Sequence, residues 1–224
     1  MMKKLALLLS AILLVTANTI FAAEFESTIS AALDTVGRKN GDRELLVLTD
    51  APFVRIDGSS ALPFLETAQK ATGCTVGKKN LLFFQRTQNH PLRFLLMNKV
   101  DGKAVIISKN KQKWISEQIQ LDRQTLATPE FWENTKNYSA AKDIFALAGI
   151  AGAWAMDAPY DYLKVAELHN HLCPGVTSGY LMAHYIKKHF PLKENEKYVI
   201  IASPVWCKED ALQIILDCTA GKRG

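Results

Sequence analysis

The sequence has little charge excess and few cysteines, and its apolar runs are short. Its 224 residues include 27 Lys and Arg and 22 Asp and Glu, for a formal net charge of +5. No basic stripe interleaved with aromatic residues is present, which speaks against nucleic-acid binding. The N-terminal apolar run, residues 5–15, is shorter than the roughly 20 residues of a membrane-spanning helix. With 48% hydrophobic and 22% charged residues, the composition is that of a globular protein.

The first 22 residues have the pattern of a secretory signal peptide. A short basic start with Lys3 and Lys4 precedes the apolar run, and small residues lead to a predicted cleavage after Ala22. There is no twin arginine, and the first cysteine, Cys74, is too far from the cleavage site to carry a lipid anchor. We therefore expect a periplasmic or secreted protein with no membrane association after cleavage. An uncleaved N-terminal anchor is the alternative.

Helices and strands alternate along the chain without the regular βαβ pattern of a nucleotide-binding sheet. Strands are predicted at residues 44–50, 81–85, 92–99, 104–108 and 197–205, and Asp101-Gly102 is typical of a hairpin turn between the third and fourth. Helices are predicted between them, including residues 139–156 and 175–190. The pattern favours an α+β fold with a mixed or antiparallel sheet and packed helices.

Residues 66–79 and 210–223 align without a gap and share five identities, a sign of a degenerate tandem repeat. The shared positions in the second copy are Gln213, Cys218, Thr219, Gly221 and Lys222. We predict an N-terminal half over residues 23–138 and a metal-binding half over residues 139–224. Strands follow the first copy but not the second, so we expect a truncated second half, or one that uses the first copy's strands within the molecule or across a dimer.

A metal site is predicted where His169, His171 and Cys173 fall within five residues. Imidazole nitrogen and thiolate sulfur are the ligands that zinc prefers, and residues two apart face the same side of an extended segment. Pro174 and Gly175 begin a helix, so that Cys173 lies near its N-cap. There the helix dipole favours the thiolate form.

Cys207, between a predicted strand and a helix, is the expected third ligand. Cys218 lies eleven residues later, and a straight helix would separate the two cysteines by about 16 Å, too far for one ion. Asp210 is a candidate hydrogen-bond partner or carboxylate ligand. In an oxidising compartment a Cys173–Cys207 disulfide with bystander histidines is the alternative.

The second repeat ends in Cys-Thr-Ala-Gly-Lys, which lacks the remaining residues of a phosphate-binding loop. Cys218, Thr219, Gly221 and Lys222 are a candidate second site or anion-binding turn. A helix C-cap with a solvated lysine is an equal alternative.

These motifs together resemble the FmdE family, named after a protein of formylmethanofuran dehydrogenase. The first part of the family pattern is matched by His169, His171, Cys173, Pro174 and Gly175. The second part is matched by Cys207, Asp210, Ala211, Gln213, Cys218, Thr219, Gly221 and Lys222. The departures are Asn170 and Asp217, each in place of a glycine, and Arg223. The resemblance implies an α+β domain, metal binding at the histidine and cysteine motif, and a homodimer. It does not extend to methanofuran chemistry, which belongs to cytosolic enzymes.

The sequence therefore predicts an exported transition-metal protein, with zinc or another divalent ion as cofactor. His171, Cys173 and Cys207 would bind the ion together with His169 or a water. An open fourth position would allow catalysis or a small-molecule ligand, and a closed set would make the metal structural. The alternatives are a binding or assembly module with a structural metal, and a thiol–disulfide protein, which the absence of Cys-x-x-Cys disfavours.

Overall fold

The computed structural model describes residues 23–110 and 113–223, and it divides the chain into two compact units. Unit 1 contains the chain up to Leu81 together with Arg86–Gln120, and unit 2 contains Leu82–Gln85 and the chain from Leu121 onward. The predicted signal peptide, residues 1–22, lies outside the described residues. Within the described ranges, no helix is both long enough and apolar enough to cross a membrane. The predicted boundary at residues 138 and 139 stays a prediction.

Unit 1 contains most of the strands. Its first helix, α1, covers residues 23–36. The elements that follow are β1 (Leu45–Thr49), β2 (Arg55–Ile56), β3 (Ser59–Ser60), α2 (Leu62–Thr72), a 3-10 turn (Val76–Lys78), β4 (Leu81–Phe83), β5 (Arg93–Asn98), β6 (Lys103–Asn110) and β7 (Lys113–Gln120).

Unit 2 is helical. Its elements are α3 (Arg123–Leu126), α4 (Pro129–Asn134), a 3-10 turn (Thr135–Asn137), α5 (Ile144–Ala155), α6 (Tyr160–His169), α7 (Pro174–His189), α8 (Cys207–Leu216) and a last 3-10 turn (Ala220–Lys222). With the sheet of unit 1, this confirms the predicted α+β class.

The main sheet is mixed and has the strand order β4-β1-β5-β6-β7. The predicted hairpin between β5 and β6 is present, with Gly102 at φ 71° in the turn, a backbone angle that suits glycine. β1 and β5 are buried at every position, because the sheet is covered on both faces there. The sequence did not predict β7, because its buried and exposed side chains do not alternate regularly and most are at least partly exposed.

Glycines set the close crossing of α7 and α8 in unit 2. A Cβ built on Gly179 would lie 2.3 Å from the carbonyl oxygen of Lys208, so no larger residue fits there without a shift. Near the start of α7, a Cβ on Gly175 would lie 2.9 Å from Cβ of Cys207. The crossing therefore places the N-terminal ends of α7 and α8 side by side.

The predicted strand at residues 197–205 is wrong. The segment has the alternation of a strand, since Tyr198 and Ile200 pack on the apolar cluster of α7 and α8 while Val199 and Ile201 point to solvent. Within the described part of the chain, however, residues 198–205 make no backbone hydrogen bond. A strand is defined by pairing, and this segment has the pattern without the partner.

The two repeat segments have the same local structure. In each, a helix ends at a left-handed residue, Gly73 or Asp217, and a 3-10 turn follows before a second left-handed residue, Lys79 or Arg223. The duplication of the larger halves stays a prediction.

Candidate metal site

The end of α6 and the start of α7 position the histidine and cysteine motif. His169 is the last residue of α6, and Asn170 takes a left-handed conformation with φ 68° that turns the chain. Asparagine and glycine adopt this conformation most readily, so Asn170 suits the turn between α6 and Cys173. After the turn, Cys173 becomes the N-cap of α7, where its sulfur accepts a hydrogen bond from the backbone nitrogen of Val176 at 3.4 Å.

Cys207 reaches the same place from a second helix start. It is the first residue of α8, and the backbone nitrogen of Trp206 before it donates to Glu209 Oε2 at 2.8 Å. Both cysteines therefore lie at helix N-termini. A bound cation would replace their protons, because the thiolate is the form of cysteine that binds a metal.

The structure brings His169, Cys173 and Cys207 together. One donor atom from each residue lies within 4.8 Å of the other two, and all three side chains are partly buried. His169 Nε2 is 3.8 Å from Cys173 Sγ. Bond lengths of about 2.0–2.3 Å place the donors of a tetrahedral zinc site about 3.5 Å apart. One nitrogen and two sulfurs at this spacing fit a single ion.

Asp210 orients the histidine of this group. Asp210 lies one turn of α8 beyond Cys207, and its Oδ2 is 2.7 Å from Nδ1 of His169. A proton on Nδ1 donated to the carboxylate leaves the lone pair of Nε2 facing Cys173. A carboxylate behind a histidine ligand is the usual support of such a ligand in metal proteins.

His171 lies beside the group rather than within it. Its ring centroid is 4.4 Å from that of His169 and 5.4 Å from that of Phe145. Burial, and secondly the neighbouring His169, lower the pKa of His171. The assignment of His171 as a ligand stays a prediction.

The thiol of Cys173 lies beside that of Cys207, and the electrostatic effect of this contact is seen in the pKa of Cys207. The contact with Cys173, ahead of burial, raises this pKa. All four cysteines are free thiols in the structure.

The other cysteines lie elsewhere. Cys218 is buried in the cluster of α7 and α8 and donates to the carbonyl of Leu212 at 3.4 Å, and Cys74 donates to the carbonyl of Leu45 at the same distance. Burial raises the pKa of Cys74 to about 11. Neither belongs to the three-residue group.

The last 3-10 turn follows Cys218. Thr219 is its N-cap, and Gly221 and Lys222 lie within it. Lys222 forms an ion pair with Asp217, so its ammonium already has an anionic partner. The anion-binding turn stays a prediction.

Comparison with protein families gives a match that covers the site. Residues 168–224 match the family model described as FmdE, Molybdenum formylmethanofuran dehydrogenase operon. The predicted resemblance to the FmdE family is thereby confirmed for this segment, which contains His169, Cys173 and Cys207. No curated protein and no solved structure matches the chain.

Sequence inspection missed two aromatic residues near the site. Phe145 on α5 contacts His171, and Trp132 on α4 contacts Phe145, with ring centroids 5.9 Å apart. Phe145 does not stand out in the sequence, because α5 also contains buried large side chains such as Ile150 and Trp154. Both residues precede the segment that matches the FmdE model.

Proposed function

We propose that unit 2 binds one transition-metal ion through His169, Cys173 and Cys207. The observation that carries the proposal is the convergence of these three donors from two helix starts and one helix end. Cys207 comes from a separate helix to meet His169 and Cys173, and the Asp210 carboxylate lies behind the histidine.

Zinc is the proposed ion, because a mixed set of one imidazole and two thiolates suits it best among the common divalent ions. Three protein ligands leave a fourth position for His171, a water or an exogenous ligand. A zinc ion with an open position supplies a Lewis acid that polarises a bound oxygen or nitrogen group. The chain's own contribution is to fix the donors and to orient His169 through Asp210.

A matched pair of histidine variants tests this assignment. His169→Ala is expected to lower zinc affinity at least tenfold in a competition titration with a chromophoric chelator. His189→Ala, at the exposed end of α7, is the control and should bind zinc like the native protein. Equal zinc affinity in the two variants would contradict the assignment of His169.

We also propose that the protein is exported and forms a homodimer. The basic and apolar pattern of residues 1–22 supports export.

The unpaired segment at residues 198–205, with Ile201 96% exposed, supports self-association, because apolar side chains on an unpaired strand-like segment favour pairing with a second chain. Light scattering should give a dimer mass for the native protein and a monomer mass for Ile201→Lys. A monomeric native protein would contradict the dimer.

A further inference from the structure

A continuous series of aromatic rings leads from the surface of unit 2 to the candidate metal ligands. The ring centroids are separated by 4.9 Å between Phe131 and Trp132, 5.9 Å between Trp132 and Phe145, 5.4 Å between Phe145 and His171, and 4.4 Å between His171 and His169. Each step lies within the range of direct ring contact. The last ring belongs to the proposed ligand itself.

The rings of Trp132 on α4 and Phe145 on α5 are exposed, although α5 is otherwise largely buried. Phe145 is 52% exposed and Trp132 is 37% exposed, while nine of the twelve residues of α5 are buried. We call Trp132 and Phe145 the aromatic platform. Exposed apolar side chains rimmed by polar groups are a common feature of interaction surfaces, because they leave water when a ligand covers them.

Although its rings are exposed, the platform is held in place by a hydrogen bond of Trp132 and by close packing of the α5 backbone. The indole Nε1 of Trp132 donates to the carbonyl of Leu126 at 3.0 Å, which fixes the ring plane. On α5, a Cβ built on Gly149 would lie 3.6 Å from the backbone nitrogen of Leu172. The backbone of α5 therefore lies directly against the loop between His169 and Cys173, so that Phe145 keeps a fixed position beside the site.

We propose that the aromatic platform binds the flat, unsaturated ring of a small molecule whose nitrogen donor reaches the metal site. This inference rests on the proposed metal binding at His169, Cys173 and Cys207. A ring stacked on Phe145 lies next to His171 and thus two ring contacts from His169. A fused heteroaromatic compound has the required form, with a donor nitrogen on one ring and a second ring to stack. An aliphatic donor of the same size would lack the favourable ring geometry.

The platform lies outside the segment that matches the FmdE model, so the proposed ligand preference is a property of this chain and not of the matched segment. Residues 168–224 would provide the ion, and α4 and α5 would select the ligand.

Imidazole and benzimidazole are suitable probes. Both offer one sp² nitrogen to an ion, and only benzimidazole has a fused second ring. Their dissociation constants would be measured by calorimetry on the full chain, after zinc content has been determined for every sample. The measured quantity is the selectivity ratio, the dissociation constant of imidazole divided by that of benzimidazole, which removes effects common to both probes.

Phe145→Leu and Trp132→Leu keep apolar bulk and remove the aromatic ring. Each is expected to lower the selectivity ratio about three- to tenfold, which is the range of one ring-stacking contact. Phe190→Leu is the matched control, because Phe190 is an exposed phenylalanine of the same unit outside the ring series. Its selectivity ratio should equal that of the native protein.

The outcomes separate the two proposals. Full zinc content with an unchanged selectivity ratio in both platform variants would overturn the platform and leave metal binding intact. Absence of zinc from the native protein would overturn the metal site and the platform with it. A ratio lowered equally by Phe190→Leu would also overturn the platform, since a general surface effect would then explain the preference.

Discussion

Two aspartates of unit 2 each contact a histidine, and their surroundings differ. Asp210 lies 2.7 Å from His169, whose side chain is 13% exposed, whereas Asp161 lies 3.2 Å from His184, whose side chain is 44% exposed. Only the first histidine faces the two cysteines. Asp210 therefore positions His169 beside the cysteines, whereas the exposed ion pair of Asp161 with His184 contributes little.

Removing the Asp210 carboxylate is expected to weaken zinc binding without changing its stoichiometry. Asp210→Asn should lower zinc affinity about 10- to 100-fold, since the imidazole loses its orientation and part of its basicity. Asp161→Asn is the matched control and should leave the affinity unchanged. Competition titrations on both variants measure the effect, and an unchanged affinity in Asp210→Asn would show that the carboxylate does not support the ligand.

The buried thiol of Cys74 makes stability depend on pH in the alkaline range. Burial raises the pKa of Cys74 to about 11 from an ordinary value of 9.0. The unfolded chain thus loses this proton first, and the thiol's contribution is complete below about pH 9 and disappears as the pH rises through about 11. Two pKa units correspond to at most about 3 kcal/mol.

Urea unfolding at pH 8 and pH 11 measures this contribution. The free energy of unfolding should fall more steeply with pH in the native protein than in Cys74→Ala, which has no thiol to ionise. Parallel pH profiles for the two proteins would mean that Cys74 ionises equally in the folded and unfolded states.

Residue spacing predicted that histidines and cysteines meet here, but not which histidine faces the cysteines. Two histidines two apart would point the same way in an extended segment, but His169 ends a helix and His171 follows a left-handed turn. Which imidazole faces the cysteines therefore depends on the residue at which α6 ends. Sequence patterns locate helix ends only to within a few residues.

At the scale of elements, Gly179 sets the distance between α7 and α8. A Cβ at this position would overlap the backbone of Lys208, whereas a Cβ on Gly221 would meet nothing within 4 Å. Cys207 immediately precedes Lys208, so a shift of α8 would also move a proposed ligand.

Gly179→Ala is expected to destabilise the protein by about 2–3 kcal/mol, because overpacking outweighs the higher helix propensity of alanine. Zinc affinity should fall as well. Gly221→Ala, the control, should change stability by less than about 0.5 kcal/mol. Urea unfolding and zinc titration check both effects, and a native-like Gly179→Ala would show that the crossing adapts at little energetic cost.

Elements with a local signal were predicted, and elements that depend on a distant partner were not. The hairpin of β5 and β6 follows from Asp101-Gly102 and the apolar strands around it. Residues 197–205 have an equally good strand pattern, but a strand also needs an edge to pair with. β7 illustrates the reverse, since its pairing with β6 stabilises a segment with a weak pattern of its own.

At the scale of the whole molecule, unit 2 has apolar contacts that do not involve the proposed ion. Val165, Val176 and Ala211 form one buried cluster, and Ala183, Leu212, Leu216 and Cys218 form another. These clusters join α6, α7 and α8. Their burial stabilises the helices without the ion, although the side chains of Cys173 and Cys207 also pack against the first cluster.

Chelation of the metal is therefore expected to lower the melting temperature and to leave most of the helical circular dichroism signal. The lowered melting temperature follows from loss of an ion bound only by the folded state. Loss of the helical signal on chelation would instead indicate a structural metal, as in small zinc domains that unfold without it.

The α+β class and the FmdE-like segment could be predicted from the sequence, since both depend on local patterns and on one compact set of motifs. The aromatic platform could not. Trp132, Phe145 and His171 are brought together by the packing of α4 and α5 near the loop that follows α6, and no spacing rule in the sequence encodes that contact.

The most direct test of the metal site is elemental analysis combined with a free-thiol count, on mature protein purified without a metal-affinity tag. The account predicts about one zinc per native chain with Cys173 and Cys207 reduced, and no stoichiometric metal in Cys173→Ser. A native chain without metal and with two thiols missing would contradict it, because Cys173 and Cys207 would then form a disulfide beside histidines that bind nothing.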